Sequence, residues 1–391
     1  MSPTLVLGHS SWSCADFWSL SPGRCRAVFK QSVSLEDTDT KCGCRGQSKR
    51  CPNSMPFKIV NLDTCFGWPE GYAPERALTS SLPVEWVMLK VVTEDEIIAA
   101  SHDADVVLVE RFSTQVTRRV IDALNRCRLI AKYAIGVENI DIAAATERGI
   151  VVCNAADYCV EEVSDHTVAV LLASARRIIA IDRHVQQGGW HDVAFEAPLR
   201  RIGVLTLGLV GFGRIARRVA QKFRSFGLRI LAVDPYVPKH NAAENEVELV
   251  SLNQLLRESD LISVHTPLTP ETHKLIGERE LKMMKRSAFL VNTSRGAVLD
   301  EPALIRSVRE GRIAGAALDV AEIEPLPASS PLRGVPNLIL TAHYAGDSVE
   351  SLRDVHRTMG ASISAVLQND WPPFPVNPTV TPRVPLKVRS P

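Results

Sequence analysis

Arg295, Glu324 and His343 are the side chains whose types and spacing best suit chemistry. Each falls just beyond an apolar run that reads as a strand: Phe289 to Asn292 before Arg295, Ala314 to Asp319 before Glu324, and Leu338 to Thr341 before His343. In an open parallel sheet, ligands bind beyond the carboxyl ends of the strands. A guanidinium at such a place suits a carboxylate, which it can clamp through two parallel hydrogen bonds while orienting the adjacent carbonyl. Glu324, in the loop Asp319-Val320-Ala321-Glu322-Ile323-Glu324-Pro325, would bring a carboxylate toward the same crevice. Taken singly, each has an ordinary structural reading: a surface ion pair for Arg295, a solvated loop acid for Glu324, a strand-end hydrogen bond for His343.

A second constellation lies upstream. An apolar strand ending at Val210 runs into Gly211-Phe212-Gly213-Arg214-Ile215-Ala216, then a helical pattern, then a second apolar strand from Ile230 to Val233 that ends on Asp234. This is the pattern of a dinucleotide-binding βαβ unit. Gly211 permits the tight turn, Gly213 lets backbone amides approach a pyrophosphate at the helix N-terminus, and Ala216 allows close packing of helix on strand. Asp234 comes at the expected interval of roughly 20 residues, where a carboxylate accepts from ribose hydroxyls and repels the 2′-phosphate of NADP. NAD is therefore the expected cofactor.

The elements around these sites read as α/β throughout. From Phe57 to about Asn154, strand-like runs (Lys58 to Leu62, Val84 to Leu89, Val106 to Val109, Leu129 to Tyr133, Val151 to Cys153) alternate with helical segments, which predicts a small parallel domain. One long helix is expected from Val160 to about Gln187, stopped by Gly188-Gly189. The dinucleotide unit and further strands, beginning with Leu261 to His265, then form a second, doubly wound sheet. A helical pattern follows Gly346, and the segment from Trp371 to Pro391 is a Pro-rich tail that holds seven prolines and cannot form a further domain. Residues 1–54 are Ser-, Cys- and Arg-rich without a sustained period, and read as a disordered or mis-assigned extension.

Composition narrows the function classes. The 391 residues exceed what one core usually supports, so two domains are expected. Lys plus Arg number 45 against 44 Asp plus Glu, so nothing favours a polyanion, and nucleic acid is not an expected partner. No apolar run approaches the 18 or more residues of a membrane span. Of nine cysteines, Cys65, Cys127, Cys153 and Cys159 read as buried thiols of a reducing compartment, which points to the cytoplasm. Cys42, Cys44 and Cys51 lack paired zinc-ligand spacing, so no metal is expected.

Several separated motifs carry a resemblance over roughly Phe57 to Trp371. They are Lys132-Tyr133-Ala134-Ile135-Gly136-Val137-Glu138-Asn139-Ile140-Asp141, Val152-Cys153-Asn154, Gly208 to Ala216, and His265-Thr266-Pro267-Leu268-Thr269-Pro270-Glu271-Thr272. Val291-Asn292-Thr293-Ser294-Arg295-Gly296, Ala317-Leu318-Asp319-Val320 and Thr341-Ala342-His343 complete the set. In these the chain resembles the D-isomer-specific 2-hydroxyacid dehydrogenases. The resemblance implies a Rossmann NAD-binding domain at 155–346 and a flavodoxin-like substrate domain made of 55–154 and 347–375, with a Pro-rich tail at 376–391. It implies a catalytic triad of Arg295, Glu324 and His343, with the imidazole giving or taking a proton and Glu324 fixing its tautomer. It places Ile135, Gly136 and Val137 with Arg295 on the carboxylate of a small 2-keto or 2-hydroxy acid. Arg214, Ile215, His265, Pro267, Thr293, Ser294, Asp319 and His343 fall on the cofactor side. Lys132 near the pocket reads as a solvated lysine. A homodimer is expected through the 160–187 region. Ala134, Ala321 and Ala342 depart from the family pattern, and blur which acid is the substrate. The other branch the motifs allow is an NAD-sensing corepressor or interaction module like the C-terminal binding proteins, for which Cys65-Phe66-Gly67-Trp68-Pro69 would be a marker; the complete Arg, Glu and His set argues for the enzyme.

Overall fold

The structure, a computed structural model, describes residues 55–64, 71–91, 93–110, 113–191, 198–238, 240, 242 and 244–387. Contacts separate Met1–Ser54 from Met55–Pro391, and the description concerns the second unit. The expectations for residues 1–54, including their cysteines, and for the 65–69 motif lie outside the described residues.

Short runs of Val, Ile and Leu bounded by turns make parallel strands, and inner ones such as Val106–Val109 and Phe289–Asn292 are buried throughout. β1 (Phe57–Asn61), β2 (Val84–Met88), β3 (Val106–Val109), β4 (Leu129–Lys132) and β5 (Val151–Asn154) form one parallel sheet in the order β2-β1-β3-β4-β5. That is the flavodoxin-like order. The helix Val349–Leu367, capped by Ser348, returns to this sheet and lays Val355, Met359 and Ile363 in one core with Ile59, Val106 and Leu129. The Pro-rich segment was expected only to build no domain; it runs along β5 as an edge strap. Val376 N–H donates to Val152 O at 2.7 Å, Asn377 accepts from Val152 N–H at 2.8 Å and donates to Ile150 O at 3.0 Å, and Arg383 N–H donates to Gly149 O at 2.7 Å. Prolines tolerate an edge because they have no N–H to offer a further strand.

The second sheet holds β6 (Thr206–Val210), β7 (Arg229–Val233), β8 (Glu248–Leu249), β9 (Leu261–Val264), β10 (Phe289–Asn292), β11 (Gly315–Leu318) and β12 (Leu338–Leu340). Its order is β12-β11-β10-β9-β6-β7-β8, and all of its pairings are parallel. The order reverses direction at the β6/β9 boundary, which places a crevice beyond the carboxyl ends there.

The long helix expected from Val160 to Gln187 is two helices, Val160–Ala175 and Ile178–Gln186. Arg177 breaks it with φ 56°, because its side chain is drawn onto the sheet: the guanidinium lies 4.6 Å over the Phe289 ring and donates to Ala314 O at 3.3 Å. The first helix buries Val163, Thr167 and Leu171; the second buries no residue.

Candidate active site

The glycine turn is built as its sequence requires. Gly211 sits at φ 89°, and a Cβ there would lie 3.0 Å from the backbone of His265. Gly213 precedes the helix Arg214–Phe223, no side chain caps that helix, and a Cβ on Gly213 would meet nothing within 4 Å. Ala216 is fully buried against Leu207 and Leu209. Asp234 closes β7 with its carboxylate folded across the turn, accepting from Phe212 N–H at 2.9 Å and Tyr236 N–H at 2.8 Å. Two buried polar atoms beside this turn, His265 Nε2 and Thr266 Oγ1, have no hydrogen-bond partner among the described residues. Burial pushes the His265 imidazole down to about 4, so it is neutral at pH 7. An open helix N-terminus, a glycine facing space and orphaned donors or acceptors fit a dinucleotide. Arg214 is the exception among the cofactor expectations: its side chain turns away, donating to Ala156 O at 3.3 Å and stacking 5.8 Å from the Phe374 ring, and it lines a neighbouring groove.

A crevice of about 540 Å³ collects most of the remaining predicted residues, while Glu324 lies outside its lining and reaches it through His343. Ile135, Gly136 and Val137 line it from the loop after β4; Ile215, His265, Pro267, Thr293, Ser294, Arg295, Asp319 and His343 line it from the second sheet. Gly211, Gly213, Ala216 and Asp234 lie outside this lining, around the glycine turn. Lys132 is neither solvated nor in the crevice: it is the last residue of β4, fully buried, and its ammonium donates to Glu110 O at 2.9 Å.

His343 Nδ1 lies 2.7 Å from Glu324 Oε2, and Glu324 Oε1 accepts from Ala321 N–H at 2.9 Å. Burial alone would raise the Glu324 carboxyl, but the hydrogen bond and charge of His343, with Ala321 N–H and Arg295, hold it below the ordinary value. An ionised Glu324 accepts only, so Nδ1 carries the proton in this pair and Nε2 is left for exchange with a ligand. His343 itself adopts φ 60°, a left-handed conformation unusual for a residue with a Cβ. The conformation is held by Asp319, whose main-chain carbonyl accepts from His343 N–H at 2.7 Å. The Asp319 carboxylate accepts from the Thr341 hydroxyl at 2.5 Å and from the N–H groups of Tyr344 and Ala345 at 3.0 Å. Strained backbone of this kind costs on the order of 1–3 kcal/mol and gathers at functional sites.

Sequence reasoning missed three supports. Asn292, fully buried at the end of β10, donates to Arg295 O at 2.9 Å and accepts from Ser294 N–H at 3.0 Å, so it shapes the turn that presents Arg295. Asn154 at the end of β5 holds Ile135 O at 2.6 Å and so orients the loop after β4. The third is Glu138, whose carboxylate accepts from Arg295 Nε at 2.8 Å and from Nη2 at 3.4 Å. The asparagines had a signal, an amide side chain at a strand end where it can bond its own turn; Glu138 had none.

Comparison with known proteins agrees with this fold. The family described as "D-isomer specific 2-hydroxyacid dehydrogenase, NAD binding domain" matches residues 168–345. A glyoxylate reductase of Korarchaeum cryptofilum is 41% identical over 299 residues, covering 75% of this chain and 88% of that one. A D-3-phosphoglycerate dehydrogenase of Methanocaldococcus jannaschii is 39% identical over 279 residues, covering 71% of this chain and 52% of that one. Among solved structures, D-lactate dehydrogenase from Aquifex aeolicus, complexed with NAD and lactic acid, is 28% identical with a TM-score of 0.69, covering 79% of this chain and 95% of that one. The fold and crevice define a dinucleotide-dependent dehydrogenase, and the chain belongs to the D-isomer specific 2-hydroxyacid dehydrogenase family. NAD is its cofactor, and the enzyme reading stands over the interaction-module alternative. No helix among the described residues is long and apolar enough to cross a membrane.

Proposed function

We propose that the crevice reduces a small 2-keto acid to the D-2-hydroxy acid, and runs the reverse oxidation, with His343 as the acid/base, Glu324 as its partner and Arg295 as the carboxylate clamp. The observation that carries this reading is the 2.7 Å contact with Glu324 of His343 Nδ1, whose imidazole lines the same crevice as Arg295 and the 135–137 loop. When bound, NADH supplies the hydride that adds to the carbonyl carbon. His343 gives its Nε2 proton to the oxygen as charge develops there, and Glu324, ionised, stabilises the imidazolium that exists before the transfer. Arg295 binds the carboxylate bidentately, and backbone N–H groups of Ile135, Gly136 and Val137 meet it from the other side of the crevice. The glycine turn, the first helical turn at Arg214 and Ile215, and Asp234 hold the pyrophosphate and ribose; His265, Pro267, Thr293, Ser294 and Asp319 flank the remainder of the cofactor.

The domain division that serves this reading is 55–154 with 347–375 for the substrate side and 155–346 for NAD, with 376–391 as tail. We assign a homodimer to the face around Ile178–Gln186, where Ile178, Ile179 and Val185 are exposed on a helix that buries nothing in its own chain. The cytoplasm is the assigned compartment: Cys127, Cys153 and Cys159 are buried free thiols, each pushed up to about 12 by burial and so unreactive.

The test is NADH oxidation at 340 nm by the full chain with glyoxylate, hydroxypyruvate, pyruvate, phenylpyruvate and 3-phosphohydroxypyruvate. Turnover of one or more, abolished in His343→Ala, supports the reading and names the substrate. Tight NADH binding with no turnover on any of the five overturns it.

A further inference from the structure

A guanidinium offers a carboxylate two bidentate edges, the side-on Nε–Nη2 edge and the end-on Nη1–Nη2 edge. In this protein the side-on edge of Arg295 is taken by Glu138: Nε donates to Oε1 at 2.8 Å and Nη2 to Oε2 at 3.4 Å, while Nη1 donates to Ser294 O at 2.8 Å. The two residues are 157 positions apart and come from different sheets, Glu138 from the loop after β4 and Arg295 from the turn after β10. Gly136 lies under the contact. A Cβ there would be 1.7 Å from Arg295 Nη2 and 2.3 Å from Glu138 Oε2, so the ion pair lies flat on the peptide of that glycine. The loop that carries Glu138 is itself fixed at both ends, by Asn154 on Ile135 O and by Asn139 on Thr114 O, each at 2.6 Å.

We propose that Glu138 is a positioning residue for substrate recognition: with Ser294 O holding Nη1, its grip on the side-on edge fixes the guanidinium against Gly136 and so sets the direction in which Arg295 meets a substrate carboxylate alongside the amides of the 135–137 loop. The proposal rests on the function assigned above. A clamp held by one carboxylate loses less rotational freedom when it meets a second, so the arrangement lowers the cost of binding rather than the barrier to chemistry. Glu138 itself lines the crevice, and in this proposal it acts through Arg295. The opposite role is also chemically conceivable, because Glu138 is itself a carboxylate on the clamp; a competitor and a positioner have opposite signs in KM.

The experiment measures kcat and KM for the best keto acid of the panel, and the affinity of the NADH-bound enzyme for oxamate by quenching of NADH fluorescence. The proteins are the wild type, Glu138→Ala, Glu138→Asp, Glu138→Gln and the double variant Glu138→Ala with Arg295→Ala. We expect Glu138→Ala to raise KM and weaken oxamate about tenfold while kcat and NADH affinity stay within about twofold. Glu138→Asp should recover part of the loss, and Glu138→Gln less. In the Arg295→Ala background, removing Glu138 should weaken oxamate no further, which a merely structural role would not predict. Unchanged KM and oxamate affinity in an active, folded Glu138→Ala enzyme overturn the positioning role, and a lowered KM replaces it with competition. If the wild type itself reduces no keto acid and binds no oxamate, the assigned function fails instead, so the two failures are told apart.

Discussion

Gly136→Ala is the substitution whose consequence the geometry specifies most sharply. An added methyl would lie 1.7 Å from Arg295 Nη2, 2.3 Å from Glu138 Oε2 and 2.9 Å from Arg295 Cζ. Each of these atoms is the far end of a long side chain, so the backbone has no reason to move and the guanidinium must leave. The stability effect should therefore stay within about 0.5 kcal/mol, as for a surface substitution, and Tm within a degree or two. The binding effect should be large. Hydrogen bonds to a charged group contribute about 1.5–3 kcal/mol, so a displaced clamp raises KM for the keto acid by roughly 10- to 150-fold. NADH affinity, read by fluorescence, should not change. Gly296→Ala is the control with the opposite profile: its Cβ would sit 2.0 Å from Ala321 C and 2.1 Å from its O, main-chain atoms that cannot swing aside. Overpacking of that kind costs about 1–3 kcal/mol, so Tm should fall clearly. A Gly136→Ala enzyme with KM within twofold of wild type would refute the placement of Arg295 at the carboxylate, and one that melts like Gly296→Ala would show that the loop backbone, not the side chain, absorbs the methyl.

His343→Ala should lower kcat by about 10²–10⁴ with NADH affinity retained, measured by steady-state rates and fluorescence titration. Asp234→Ala should narrow the preference for NADH over NADPH by about tenfold or more in the ratio of kcat/KM, since the carboxylate that repels a 2′-phosphate is gone. His265 makes the native state acid-sensitive. Its folded value, about 4, lies below its unfolded value of 6.5, so the unfolded chain takes up the proton first and stability falls as pH drops from 6.5 toward 4. The full span of that loss is at most about 3 kcal/mol, and about 2 kcal/mol by pH 5; urea unfolding of wild type and His265→Gln at pH 7 and pH 5 should show the difference shrinking in the variant. For the dimer, light scattering on wild type and on Ile178→Glu with Val185→Glu should give twice the chain mass and once the chain mass respectively, and equal masses would remove the assigned interface.

The strands were legible because parallel strands buried on both faces appear as short apolar runs: Val106–Val109 and Phe289–Asn292 stand in the structure with the bounds their residues suggest. β8 was not legible, since Glu248–Leu249 is too short to carry a period. The break at Arg177 was hidden for another reason. Arginine is a good helix former, and what bends the chain is the distant Phe289 ring and Ala314 carbonyl. The strap along β5 depends on Asn377, which reaches Ile150 across 227 residues. In the site, the types and strand-end positions of Arg295, Glu324 and His343 were visible, but their convergence came from motif resemblance. Local sequence has no means of showing that Glu138 faces Arg295, because the pairing depends on how two sheets present their loops to one another.

The division of the site between those sheets has a mechanical consequence. Glu324 and His343 follow β11 and β12, and Asp319, at the end of β11, binds the chain on both sides of His343 through Thr341, Tyr344 and Ala345. The proposed acid/base pair is thus assembled from loops of the second sheet alone. The carboxylate site is different: half of it is the 135–137 loop of the first sheet, and Glu138 on that loop grips Arg295 on the second. In the proposed mechanism, proton transfer would be preorganised within the second sheet, whereas carboxylate recognition would draw on both sheets. The proton would thus come from a pair fixed within one sheet, while the substrate carboxylate would be met from both, so substitutions at Glu138 or Gly136 should act on binding and substitutions at Asp319 on the acid/base geometry.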